Sequence, residues 1–296
     1  MKKIFKDLTV LDLANNHFGD FKHAKKIVNE FGKIIRKYKI NSTIKFQFRN
    51  LPDFVHKDFL NSDLHYVRRF LDTKLSDDDF YNIFKLIKKN KIKTSCTPFD
   101  EVSVDKIERM GFDYIKIASA CALDFNLHER VIKNNIPKII STGGIKINDI
   151  DKIVSFYSKK SQKFALMHCV SIYPTDLSKL NLNFIENLKK RYDDVPIGWS
   201  THESPDEFLP AVLAKSKGAS ILEKHIGINS KKYKLNKYSI NPEQFEKWIL
   251  NINKSKEILG KYEKEIFPNE IETIEKLSRG VYLKKDLKKN TILNSK

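Results

Sequence analysis

Several polar residues stand at or just after the ends of short apolar runs, where a chain that only had to fold would carry few of them. In VLDLANNHFGD (10–20), Asp12 interrupts the run and His17 follows it. TIKFQF carries Lys45 and Gln47, KTSCT ends at Thr97, and DYIKIA carries Lys116 with Ser119 just beyond. PKIIST supplies Ser141 before Gly143-Gly144, KFALMHC is followed by Ser171 and Tyr173, and VPIGWS ends at Ser200 ahead of His202. SILEKHI contains Glu223 and His225. Lysine ammonium groups, hydroxyls and loop amides are what a phosphate or carboxylate needs. Two imidazoles closing neighbouring strands could hold a divalent cation and leave positions open for substrate oxygens. Glu223 could then be a further ligand or orient one imidazole.

Each feature has a plainer reading. A single lysine in a strand can point outward and snorkel between helices. A single buried histidine more often satisfies a hydrogen bond, and His168, inside its strand, is read that way. Two interrupting lysines with Ser119, Ser141 and Ser200 on neighbouring runs favour an anion pocket. Cys96 and Cys121 have no matching histidine and are read as bystanders rather than nucleophiles.

The elements that must position these residues are eight apolar runs: 9–14, 43–48, 93–97, 113–118, 137–142, 163–169, 195–200 and 220–226. Amphipathic helical stretches alternate with them, and PEQFEKWILNINKSKEIL follows the eighth. Eight such units predict an α/β fold, a (β/α)8 TIM barrel with a short C-terminal extension. An open doubly wound sheet is the alternative, but no glycine-rich phosphate fingerprint follows the first strand. The segment 51–74 is read as an extended strand-to-helix loop and part of a helix, of the kind that often covers an active site. Residues 1–265 form the expected barrel domain. Residues 266–296 form the extension, read as helix after Pro268 and then a short strand in SRGVYLKKDLKKNTILNSK.

The formal net charge of +18 first suggests nucleic acid, but the lysines are spread over helix faces with no basic arm or recognition motif. A positive field would still draw in anionic substrates. No run is long enough for a membrane span, and MKKIFKDLTV lacks the apolar stretch and cleavage site of a signal peptide. Three scattered cysteines without CxxC spacing point to a reduced, cytoplasmic protein. Neither nucleic acid nor membrane is expected as a partner.

The stretches ANNHFGD, IKFQ, TPFD, YIKIAS, ISTGG, HCVSIYPT, IGWSTH, ILEKHIGI and SINPEQF occur in one order across about residues 8–250. As an ordered set they resemble the sialic acid synthases, meaning N-acetylneuraminate synthase and its legionaminate, pseudaminate and spore-coat relatives. The resemblance implies a cytoplasmic transferase of surface-glycan (capsule or lipopolysaccharide) biosynthesis. Such an enzyme condenses phosphoenolpyruvate with an aldose, giving a 2-keto-3-deoxy sugar acid and phosphate. It implies that Lys45, Lys116, Ser119, Ser141, Ser171 and Ser200 hold phosphoenolpyruvate, Ser171 standing where the family usually has asparagine. It implies His202 and His225 as ligands of Mn2+ or Mg2+, with Glu223 behind them. Asp12, Gln47, Thr97, Cys121 and Tyr173 would face the sugar, and Asp12, His17, Lys45 and Lys116 form the candidate catalytic set.

The departures cluster on the sugar side. Asp12 stands where the family usually has glutamate, Cys121 where it has an acid, and Leu235 near an expected aspartate. The family continues into an antifreeze-like domain that builds its dimer. Here only the linker and opening of that domain are recognised, so loss of the domain is expected and a homodimer needs its own argument. The expected acceptor is an aldose, N-acylmannosamine-like or altered, and the alternative is a related synthase that uses a phosphorylated or non-N-acylated sugar. A catalytically silent barrel acting as a binding subunit is the competing reading.

Overall fold

The computed structural model describes residues 2–294. Eight parallel strands close into a barrel in sequence order: β1 (Leu8–Asp12), β2 (Ser42–Phe48), β3 (Lys93–Pro98), β4 (Tyr114–Ile117), β5 (Lys138–Ser141), β6 (Phe164–Cys169), β7 (Ile197–Thr201) and β8 (Ile221–His225). The (β/α)8 expectation holds, and each predicted run contains or overlaps its strand. β8 pairs back onto β1, with Leu8 opposite Ile221 and Asp12 opposite His225.

Side chains alternate across each strand, and the alternation sorts the sequence into two cores. Outward residues such as Leu11, Ile44, Ile115, Ile140, Leu166 and Leu222 pack under the helices in one continuous cluster. The helix Phe21–Lys37 shows why these faces meet. Ala24, Ile27, Val28, Phe31 and Ile35 recur at helical spacing, and the Asp20 carboxylate caps the helix by accepting from the His23 amide at 3.1 Å.

Inward residues change character along the barrel axis. At the N-terminal end Leu8, Val10, Tyr114, Ile139, Ala165, Met167 and Ile221 pack with Phe5 as a second, separate cluster. This apolar floor closes one end of the barrel. Gly198 belongs to it, because a Cβ there would overlap the Met167 sulfur. One or two inward positions further along, the same strands present Asp12, Lys45, Lys116, Ser141, Ser200 and Glu223. The strands thus switch from apolar to polar on their inner face toward their C-terminal ends, where barrel chemistry resides.

The segment after β2 is a helical turn Leu51–Phe54, a 3-10 turn Lys57–Phe59 and a helix His65–Asp72. The barrel unit extends to Lys256, and a second unit begins at Glu257. That unit contains the helix Pro268–Leu277, opened by proline at its first position. The strand expected after it does not form among the described residues. Its exposed, lysine-rich stretch has no sheet edge on which to pair. The three cysteines are free and buried. No helix of the described residues is long and apolar enough to cross a membrane.

Candidate active site

The centre of the site is a four-residue charge lattice. Register places Asp12 opposite both Lys45 on β2 and His225 on β8. The Lys45 ammonium lies 3.0 Å from Asp12 Oδ2 and donates to Glu223 Oε1 at 2.5 Å. Glu223 Oε2 lies 3.6 Å from Lys116, which donates to Ser141 Oγ at 2.5 Å. All four charged residues are buried. The lysines therefore do not snorkel outward; an unpaired buried charge would be costly, and the carboxylates satisfy them.

Burial alone would raise the Asp12 carboxyl, but Lys45 and His225 outweigh it and hold its pKa at about 2. Glu223 is likewise lowered despite burial, by Lys116 and Lys45. Lys45 is raised, because Asp12 and Glu223 overcome its burial, whereas burial lowers Lys116 in spite of Glu223. With the four groups in their ordinary ionised forms, the lattice is two cations and two anions.

Beside Lys116 lies an anion cradle. Ser119 Oγ accepts from the Gly143 amide at 3.1 Å, and a Cβ on Gly143 would overlap both the Ser171 and Ser119 hydroxyls. Only glycine lets this loop approach so closely. Ser119, Ser141, Ser171 and Ser200 line the same cavity of about 780 Å³ as Lys45 and Lys116.

The imidazoles of His202 and His225 line the same cavity. Their ring centroids are 5.4 Å apart, and Tyr173 and Tyr238 pack on them at 4.2 Å (Tyr173 on His202) and 5.2 Å (Tyr238 on His225). Burial lowers both histidines, so both are neutral with a lone pair to offer. His202 Nδ1 is engaged by the Val170 carbonyl at 3.1 Å, which leaves Nε2 as its free donor atom. His225 Nδ1 is buried without a partner. This donor set fits a divalent cation as two neutral nitrogens. Among the described residues no group of three or more His, Cys, Asp or Glu side chains converges at metal-ligand geometry. Any remaining ligands would come from water or substrate oxygens.

Glu223 contacts the lysines and not an imidazole. The carboxylate next to His225 is Asp12, 3.6 Å from Nε2. Gln47 lies in the same cavity and donates to Asp12 Oδ2 at 3.1 Å. Thr97 and Tyr173 also line it, and the Thr97 hydroxyl is buried without a partner. Two residues sit elsewhere. Cys121 is buried in the hydrophobic cluster under the helices and does not line the cavity. His17 lines an adjacent cavity of about 540 Å³, where its Nδ1 accepts the Gly19 amide and burial lowers its pKa to about 4. His168 is the structural histidine its position suggests, bonded to the Leu180 carbonyl at 2.8 Å.

The structure adds residues that sequence reasoning missed. Arg49 continues the inward alternation Lys45, Gln47, Arg49 past the end of β2. His65, Tyr66, Arg69 and Phe70 come from the helix His65–Asp72, and Asn236, Lys237 and Tyr238 from the loop after β8. Asn16 positions that loop by donating to the Ile226 carbonyl at 2.7 Å and Ser239 Oγ at 3.0 Å. Leu235 itself does not reach the cavity.

A closed barrel whose open end joins a lysine and hydroxyl cradle to two neutral imidazoles defines a TIM-barrel protein with a small-molecule site. The chain belongs to the NeuB family, whose model matches residues 36–264. A crystal structure of a spore coat polysaccharide biosynthesis protein E from Chromobacterium violaceum is 38% identical, with a TM-score of 0.89 over 93% of this chain and 82% of that one. An uncharacterized protein of Methanocaldococcus jannaschii is 31% identical over 281 residues, 94% of this chain and 80% of its own length. An N-acetylneuraminic acid synthetase from Leptospira borgpetersenii, crystallised with citrate, is 28% identical, with a TM-score of 0.79 over 90% of each chain.

Proposed function

We propose that this protein condenses phosphoenolpyruvate with an aldose, releasing phosphate and a 2-keto-3-deoxy sugar acid for surface-glycan biosynthesis. The observation that carries the reading is the balanced lattice of Asp12, Lys45, Lys116 and Glu223 set against the Ser119–Gly143 cradle. Family membership and the synthetase relative support it.

In this reading Lys45, Lys116, Ser119, Ser141, Ser171 and Ser200 bind the phosphate and carboxylate of phosphoenolpyruvate. The enol C3 forms a bond to the aldehyde carbon, whose oxygen takes up a proton. The positive charge left at C2 would be stabilised by the Asp12 and Glu223 carboxylates, which line the same cavity and are fixed in place before reaction. Water adds at C2 and gives one proton to a carboxylate, replacing the proton taken up by the aldehyde oxygen; the resulting C2 hydroxyl passes its proton to the phosphate as the C2–O bond to phosphate breaks and the C2 carbonyl forms. Asp12, held ionised, is suited to accept the proton from water and not to donate one. His202 and His225 would hold a divalent ion such as Mn2+ or Mg2+, which when bound supplies polarisation of the aldehyde carbonyl. Gln47, Thr97 and Tyr173 orient the sugar.

The test is phosphate release from phosphoenolpyruvate with a panel of aldoses, with and without chelator. Release that requires an aldose and is lost with chelator is the expected result. No release with any aldose would overturn the reading and favour a binding subunit.

A further inference from the structure

A fully buried ion pair away from the cavity adjoins both imidazoles in the chain. The side chains of Lys224 and Glu203 are 1% and 0% exposed, and the Lys224 ammonium donates to Glu203 Oε1 at 2.8 Å. Other pairs away from the cavity, such as Lys215 with Asp7 and Arg130 with Glu108, keep at least one partner partly exposed. The outward residues nearby on β7 and β8, Trp199 and Leu222, belong to the apolar cluster under the helices, as does Ile226. A buried ion pair adds little stability over apolar side chains of similar size. What such a pair fixes is geometry, because two charges in an apolar layer must stay together to be satisfied.

Each member is the direct neighbour of an imidazole. Alternation along β8 turns Glu223 and His225 into the barrel and Lys224 out of it, and Glu203 follows His202. The register between β7 and β8 ends at Thr201 opposite Lys224. His202 is the first residue past that point, and among the described residues no main-chain bond from β8 reaches residues 202 or 203. The Lys224 ammonium takes over where the ladder stops. It donates to the Glu203 main-chain carbonyl at 3.2 Å as well as to the carboxylate, so it grips both the backbone and the side chain of the residue after His202. The carboxylate has no second support, since Glu203 Oε2 is buried without a partner.

The other hydrogen bonds on His202 come from the opposite side. The Val170 carbonyl engages Nδ1 at 3.1 Å, and the Thr175 amide donates to the His202 carbonyl at 3.0 Å. Both partners lie in the segment after β6. These bonds orient the ring and hold its loop toward β6. Past the end of the ladder, the Lys224 grip is what ties that loop to β8, the strand that carries His225. The two ring centroids stand 5.4 Å apart under these opposed restraints.

We infer that Lys224 and Glu203 are positioning residues of the cation site: their bond, outside the barrel, fixes how far apart His202 and His225 stand inside it. The inference rests on the reading of those imidazoles as ligands of a divalent ion, and it adds the pair that spaces them.

The experiment compares the full chain with the double variant Lys224→Met, Glu203→Leu, which replaces the pair by apolar side chains of similar size and strands no charge. Its urea midpoint should equal or exceed that of the unaltered protein. Mn2+ binding without substrate, followed by electron paramagnetic resonance, should nevertheless weaken roughly tenfold or more. The nitrogen hyperfine coupling of bound Mn2+ should fall from both imidazoles to one. A pair that serves the fold alone leaves affinity and coupling unchanged; that result overturns the inference and leaves the imidazole reading standing. If the apolar pair fails to fold, Lys224→Gln with Glu203→Gln takes its place. Both charges then go, and glutamine is a bond too short to reach the main-chain carbonyl at position 203. The same loss of affinity is expected, and its absence overturns the inference equally. If Mn2+ does not bind the unaltered protein, or binds as tightly after His202→Ala, the imidazole reading fails and the inference fails with it.

Discussion

The Lys45 ammonium and the Glu223 carboxylate meet at 2.5 Å although their strands are not neighbours: β2 and β8 flank β1 and reach each other across the barrel interior. Removing one member of a buried pair strands the other charge. Glu223→Gln should destabilise the fold by about 3 kcal/mol and reduce turnover at least a hundredfold. Urea unfolding and phosphate release measure the two effects, and an unchanged unfolding midpoint would contradict the pairing.

Lys116 joins that lattice to the serine cradle through Ser141. Lys116→Met should raise KM for phosphoenolpyruvate at least tenfold and leave KM for the aldose within a factor of two. A change confined to the aldose would reverse the assignment of the two substrates to the two sides of the barrel.

Gly143→Ala places a methyl against the Ser171 and Ser119 hydroxyls. Relief requires the cradle to open, at a stability cost of about 1–3 kcal/mol. Phosphoenolpyruvate binding, followed by calorimetry, should weaken at least tenfold. Tight binding in this variant would show that the serines do not form the anion site.

His202→Ala removes one of two neutral nitrogens. Mn2+ binding, followed by electron paramagnetic resonance without substrate, should weaken at least a hundredfold. Affinity equal to that of the unaltered protein would place the metal elsewhere.

Lys138 gives a pH signature unrelated to the site. Its ammonium is buried on β5 and donates to the Asn134 carbonyl and to Gln162 Oε1, and burial lowers its pKa from 10.5 to about 8. Between those values the unfolded chain holds a proton that the folded chain has lost, so stability rises with pH across that window. The full gain is about 3 kcal/mol. Lys138→Met should lose this rise, and parallel pH–stability curves for the two proteins would refute the shift.

The barrel was legible because buried parallel strands advertise themselves as apolar runs, and because each polar interruption has to be an inward position near a strand end. Lys45, Lys116 and Glu223 met that condition. Their pairing with one another was not legible, since it depends on which strands face across a closed barrel. Arg49 could have been found by extending the alternation from Lys45 through Gln47. Arg69, Tyr66 and Lys237 could not, because nothing in the sequence of the helix His65–Asp72 or of the loop after β8 says that these segments fold over the open end of the barrel. Gln47 and Tyr173 were placed by resemblance and do line the cavity, whereas Cys121 turned inward to the core.

The apolar floor formed by Phe5, Leu8, Ile139 and Met167 makes the barrel a vessel with one opening. On the proposed condensation, whatever seats beside Lys116 would pass the rim before a sugar occupies it and would wait for the sugar-derived product to depart. The packing at one end of the barrel would then set a sequence in time at the other: an order of arrival and departure, to be read from the pattern of product inhibition.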